Sequence, residues 1–177
     1  RLRSYGVPTA DKPCFLELKK KYKGIVFKRR ISAPYTDIKS YMAGEDNGIE
    51  NSQILKEIDY FRRFYGGLKP AADIFYDREA FYDRTDSSVR LTFDSNVLAR
   101  GWDLELENGI YGERVLENGL YILEVKTSGA MPMWIAEMLN EFKIYPISFS
   151  KYGTAYKNGL LTRENKKIIT LGGEYCA

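Results

Sequence analysis

Residues 15–31, FLELKKKYKGIVFKRRI, alternate apolar and charged side chains on both sides of Lys23-Gly24. Period-two alternation predicts two strands, Phe15 to Tyr22 and Ile25 to Ile31, and the Lys-Gly pair between them predicts a tight hairpin. Alternation also assigns faces, so Glu17, Lys19 and Lys21 share one side with Lys28 and Arg30. The same spacing recurs at Arg1/Arg3, Arg90/Asp94 and Glu124/Lys126. Collected, that face holds eight cations (Arg1, Arg3, Lys19, Lys21, Lys28, Arg30, Arg90, Lys126) against three anions (Glu17, Asp94, Glu124), whereas the whole 177-residue chain carries a net charge of only +3. Like charges on neighbouring strands repel, so a concentrated basic face points to an anionic ligand. A half-solvated antiparallel sheet alternates too, and an exposed hairpin face is the plain alternative for Lys19 and Lys28. For Glu17 and Asp94 the simpler role is balancing the charge of their neighbours, with metal binding second.

Composition excludes several classes. A chain with 44% hydrophobic and 29% charged residues is ordinary for a globular domain. Histidine is absent, which removes Ser-His-Asp and Cys-His nucleophile systems and histidine metal clusters. Cys14 and Cys176 have no CxxC partner, so neither a disulfide framework nor a zinc site is expected, and the default is a reducing compartment. The sequence contains no P-loop and no dinucleotide fingerprint, leaving Lys and Arg side chains to hold any phosphate. No apolar run approaches the ~20 residues that span a bilayer. Cytoplasm, or the cytoplasmic face of a membrane complex, is the expected location, with flanking membrane segments left open.

Further strands are expected at Arg1 to Gly6, Ala72 to Tyr76, Val89 to Asp94, Trp102 to Leu106 and Leu120 to Lys126. Asp77 to Asp83 reads as an aromatic-rich separator, and Ser32 to Glu50 as a polar connection. After Asn51-Ser52, residues Ile54, Leu55, Ile58 and Phe61 predict an amphipathic helix ended by Gly66-Gly67, with the stripe Tyr60/Phe61/Phe64/Tyr65 as packing surface. A second helix begins within Ser128 to Pro132 and carries Trp134, Met138, Leu139 and Phe142 on one face. Ser150 is a candidate N-cap for a third, and Lys166-Lys167 in the tail reads as solvated.

In order, Arg1-Leu-Arg-Ser-Tyr-Gly, Phe15-Leu-Glu-Leu-Lys-Lys-Lys, Val26-Phe-Lys-Arg-Arg, Val89-Arg-Leu-Thr-Phe-Asp, Leu123-Glu-Val-Lys and Phe149-Ser-Lys-Tyr-Gly resemble the VTC domain, the polyphosphate polymerase domain of the vacuolar transporter chaperone complex and its bacterial relatives. The resemblance runs from Arg1 to about Tyr156. It implies an α+β fold built on an antiparallel β-barrel, the triphosphate tunnel, with a basic lumen, a few packing helices and the first strand lacking. The tunnel domain would occupy 1–160 and a tail 161–177.

The implied activity is transfer of the terminal phosphoryl group of ATP to a growing polyphosphate chain, with Mn²⁺ or Mg²⁺. Arg1, Arg3, Lys19, Lys28, Arg90 and Lys126 are the implied catalytic cations. Arg100, Ser150 and Lys151 are implied substrate contacts, and Glu124 the metal ligand; Ser148 stands where the eukaryotic polymerase has another lysine. Alternatives on the same fold are a triphosphatase, with water as acceptor, and a non-catalytic module binding polyphosphate or inositol phosphates. A salt bridge to Lys126 or Arg90 is the structural alternative for Glu124. Nucleic acid is not an expected partner, because the aromatics fall on helices and apolar faces and are not interleaved with the cations.

Overall fold

The computed structural model describes residues 1–161 and, as backbone, Ile169–Thr170. The expectations for Lys166-Lys167, Cys176 and most of the tail lie outside the described residues. Among these residues the fold is mixed α+β, with antiparallel strands in two separate sheets and four helices. Two compact units result, one holding 1–73 and 103–110, the other 74–102 and 111–161.

The first unit carries β1 (Leu2–Arg3), β2 (Pro13–Tyr22) and β3 (Ile25–Pro34) in that order. The β2–β3 ladder pairs Pro13 with Pro34 through Tyr22 with Ile25. Lys23 and Gly24 turn it with φ of 47° and 82°, the left-handed pair that a two-residue hairpin of this twist requires. One face of the sheet is apolar. Leu16 and Leu18 pack there on Tyr41 of α1 (Tyr35–Ala43) and on Leu55 and Ile58 of α2 (Gln53–Phe64).

α1 occupies the segment expected to be a polar connection. Tyr35, Ile38 and Tyr41 recur at helical spacing and are buried, and Gly44 closes the helix in the left-handed conformation. Arg62 donates to the carbonyls of Tyr41 and Met42 at 3.0 Å each, satisfying orphan acceptors at the end of α1. Ser52, of the Asn51-Ser52 pair that precedes the expected helix, caps α2, accepting from the Leu55 amide at 3.2 Å. The α2 aromatic stripe is corrected: Phe61 packs on the core, while Tyr60, Phe64 and Tyr65 are exposed. The buried stripe is instead Leu55 and Ile58, with Ile54 and Phe61 beside it, and that leaves three aromatics on the outer side.

In the second unit β5 (Arg90–Arg100) is central. β4 (Asp73–Tyr82) lies along one side; β7 (Ile122–Lys126) and β6 (Tyr111–Arg114) share the other, β7 beside the first half and β6 beside the second. A short β8 (Ile169–Thr170) follows β6. The expected separator Asp77 to Asp83 is corrected, since β4 runs through it to Tyr82: Tyr76, Arg78, Ala80 and Tyr82 alternate with Phe75, Asp77, Glu79 and Phe81. The strand expected at Trp102 to Leu106 is likewise absent. Asp103 takes φ of 51°, which breaks extended backbone, and a 3₁₀ turn follows at Leu106–Asn108.

α3 (Met133–Glu141) covers the apolar face of this sheet, with Ile135 packed on Val89 and Leu91, and Met138 and Leu139 at the margin. Trp134 and Phe142, expected in that stripe, are exposed because Ile135 takes the central position. α4 (Lys151–Lys157) begins at Ser150, whose Oγ accepts from the Gly153 amide at 3.2 Å.

A continuous barrel is the expectation that changes most. Among the described residues the strand pairing runs in sheets of three and five strands, and no ladder joins one to the other. Alternation specifies which face a residue occupies, but it carries no information on which edge strands pair.

Candidate phosphate-binding faces

In each unit, helices cover one face of the sheet, and the other carries the charges that the spacing put together. On the first sheet the cross-strand pairs Glu17↔Arg30 and Lys19↔Lys28 place those four on one side. Arg3, opposite Phe15, joins them. Glu17 is the buried member. Its side chain is 2% exposed, Lys28 Nζ lies 2.9 Å from Oε1, and the Arg1 guanidinium pairs with Oε2, with Arg1 Nε donating at 3.0 Å. Burial alone would raise the Glu17 pKa, but the Lys28 and Arg1 contacts outweigh it and hold the carboxyl at about 2. Arg30 stacks over the Phe15 ring at 4.9 Å, and Lys19, Lys21, Lys28 and Arg30 are exposed on this face.

The second face is built from Arg90, Thr92 and Asp94 of β5 opposite Lys126, Glu124 and Ile122 of β7. Arg78 of β4 and Lys151 of α4 reach it. Arg78 grips Asp94 with a two-pronged fork, Nε to Oδ1 at 2.6 Å and Nη2 to Oδ2 at 2.7 Å, and Lys151 Nζ donates to Oδ2 at 2.5 Å. Burial opposes ionisation of Asp94, yet those two cations hold its pKa below the usual carboxylate range, and Asp94 in turn pushes the Arg78 pKa up. Glu124 sits at the margin, 3.2 Å from Lys126 Nζ and 3.8 Å from the Arg78 guanidinium.

Of the expected site residues, Arg1, Arg3, Lys19 and Lys28 share the first face; Arg90, Glu124, Lys126 and Lys151 share the second. Ser150 is positioned as the cap that starts α4, directly before Lys151. Arg100 is not brought to either face: it is fully buried between the rings of Phe75 and Tyr111, at 4.9 and 4.1 Å. Asn96, at φ 49°, interrupts the alternation of β5, so the parity that puts Arg90 beside Asp94 does not carry on to Arg100. Arg78 was missed, because its segment read as a separator. Its signal was the Tyr76/Arg78/Tyr82 alternation.

The expected segregation of aromatics from cations does not hold either. Arg78 and Lys151 lie 5.1 and 4.6 Å from the Tyr76 ring centre, and Arg90 lies 5.3 Å from that of Tyr82. Rings flank the cations on the basic faces themselves.

No group of three Cys, Asp or Glu side chains suited to a metal occurs among the described residues. Glu124 offers one carboxylate, and the hydroxyl of Thr92, its cross-strand partner, is buried without a hydrogen-bond partner. Such a donor set fits a hard divalent cation that brings phosphate and water oxygens with it, and does not fit an all-protein cage.

A family model for the VTC domain matches residues 1–159. The chain belongs to the VTC domain family, known from polyphosphate polymerases. No curated protein and no solved structure matches it significantly. No helix among the described residues is long and apolar enough to cross a membrane.

Proposed function

We propose that this domain transfers the terminal phosphoryl group of ATP to a growing polyphosphate chain. The observation that carries the reading is the excess of cations on the charged face of each sheet. Arg1, Arg3, Lys19, Lys21, Lys28 and Arg30 accompany one carboxylate on the first, and Arg78, Arg90, Lys126 and Lys151 accompany Asp94 and Glu124 on the second. The triphosphate tunnel of the family belongs to this proposal.

Phosphoryl transfer asks little covalent chemistry of a protein. The barrier lies in aligning donor and acceptor and in stabilising charge on the phosphoryl oxygens. Arg forks hold phosphate oxygens in pairs, and Lys ammoniums act as mobile point charges. Arg90 is suited to this: its Nε is buried without a hydrogen-bond partner, and its residue lies on the charged side of β5. Both substrates are polyanions, so lysines and arginines on rigid strands also remove the repulsion that would keep them apart. Glu124 and Thr92 are the side chains that would hold Mg²⁺ or Mn²⁺, which would neutralise phosphate charge.

The test is incubation of the purified chain with ATP and Mn²⁺, following polyphosphate length on gels and free phosphate in parallel. Accumulating long chains are the expected result. Phosphate release without chains supports a triphosphatase, and polyphosphate binding without turnover a binding module; either outcome overturns the polymerase reading. Glu124→Gln should abolish metal-dependent turnover and spare metal-free polyphosphate binding.

A further inference from the structure

Asp94 is the most enclosed charge on the second basic face, at 1% exposure, and both of its carboxylate oxygens accept from cations. Arg78 comes from β4 and Lys151 from α4, and both ionic heads meet on this one carboxylate. Both also lie over Tyr76, itself buried. Ring and carboxylate together hold both heads at one place on the face.

On a face meant to hold phosphate, a buried anion is electrostatically a disadvantage, since it lowers the potential that attracts the ligand. It has a compensating use. Arg and Lys side chains carry large rotamer entropy, which a ligand would otherwise have to remove on binding. A guanidinium has five N–H donors and an ammonium three, so after serving Asp94 most donors of both groups stay available.

We propose that Asp94 is a positioning residue for phosphate binding: it fixes the Arg78 guanidinium and the Lys151 ammonium in place so that phosphate oxygens meet donors already ordered. The proposal rests on the phosphate-binding reading of this face. It goes beyond charge balancing because the two roles predict opposite signs. If Asp94 only offset neighbouring cations, removing its charge would tighten anion binding. If it positions them, removal weakens binding even though the face becomes more positive.

The experiment is calorimetric titration of tripolyphosphate, without metal, into the intact chain at fixed salt, with the thermal unfolding midpoint recorded for every variant. Asp94→Asn should bind about tenfold more weakly than the parent, the scale of one charge-assisted hydrogen bond. In an Arg78→Met/Lys151→Met background the same change should make no further difference, because the groups through which Asp94 acts are gone. Unchanged or tighter binding by Asp94→Asn overturns the proposal, as does a full tenfold loss persisting in the double-variant background. Should Asp94→Asn not fold, Asp94→Glu decides. It keeps the charge and displaces the head by one methylene, so positioning predicts weakened binding, and parent-like affinity overturns it. Failure of the phosphate reading is distinguishable, since the parent chain itself would then not bind tripolyphosphate.

Discussion

Glu17 and Asp94 are the buried carboxylates of the two basic faces, each held by two cations, and their settings differ. The cations on Glu17 are open to solvent, with Arg1 and Lys28 side chains 57% and 47% exposed, whereas Arg78 and Lys151 on Asp94 are 18% and 21% exposed. Glu17 organises a surface that stays wet; Asp94 organises one that is half enclosed against an aromatic ring. Solvent screening makes the same pair of contacts weaker in the first place than in the second. The first face is therefore the looser of the two, able to follow a flexible anion, and the second is the stiffer, presenting its donors in a defined arrangement.

The largest effect should come from breaking the stiff cluster outright. Asp94→Ala leaves Lys151 without its carboxylate and Arg78 with only Glu124 at 3.8 Å, both partly buried, and should cost about 3–5 kcal/mol of stability in chemical denaturation. Glu17→Ala should cost less, about 1–3 kcal/mol, because Arg1 and Lys28 can turn to water. Equal losses would erase the distinction between the two faces.

Acid should act on both clusters. Glu17 titrates at about 2 in the folded chain against 4.5 ordinarily, and Asp94 is lowered in the same direction. The unfolded chain therefore takes up protons first, so this stability is fully present above about pH 5 and is lost progressively toward pH 2. The stability difference between the parent and Glu17→Gln should accordingly shrink as pH falls through that window in pH-dependent thermal melts. A constant difference would contradict the assignment.

Smaller effects sharpen the contrast. Lys151→Met should destabilise by about 1–3 kcal/mol and Lys28→Met by under about 1 kcal/mol, both read by denaturation. Lys19→Ala, on the open face, should leave stability within about 0.5 kcal/mol. It should still lower polyphosphate affinity and make binding less salt-dependent, which a titration at two salt concentrations checks.

Much of the architecture could be read from the residues directly. The β2–β3 hairpin, its Lys23-Gly24 turn, the Ser150 cap and the charged side of each strand follow from local rules and are found where those rules put them, while the eight cations collected on one face lie on two separate sheets. The misses have local causes as well. α1 escaped notice because its buried residues Tyr35, Ile38 and Tyr41 stand in a polar stretch bracketed by Pro34, Gly44 and Gly48, and β4 was cut short because the charged and aromatic run Asp77 to Asp83 reads as a separator. Arg100, a substrate contact implied by the resemblance, shows the limit of carrying a role over by position, since one left-handed residue at Asn96 ends the alternation of β5 and Arg100 is buried between two rings.

Sequence by itself determined which side of each strand is charged, because the alternation of a strand is a property of consecutive residues and needs no partner. Only tertiary structure decided which carboxylate meets which cation: Lys151 reaches Asp94 across 57 residues of chain, and Arg78 across 16. Such meetings depend on how sheet and helix pack, since burial and geometry select one ion pair from many that charge alone would permit.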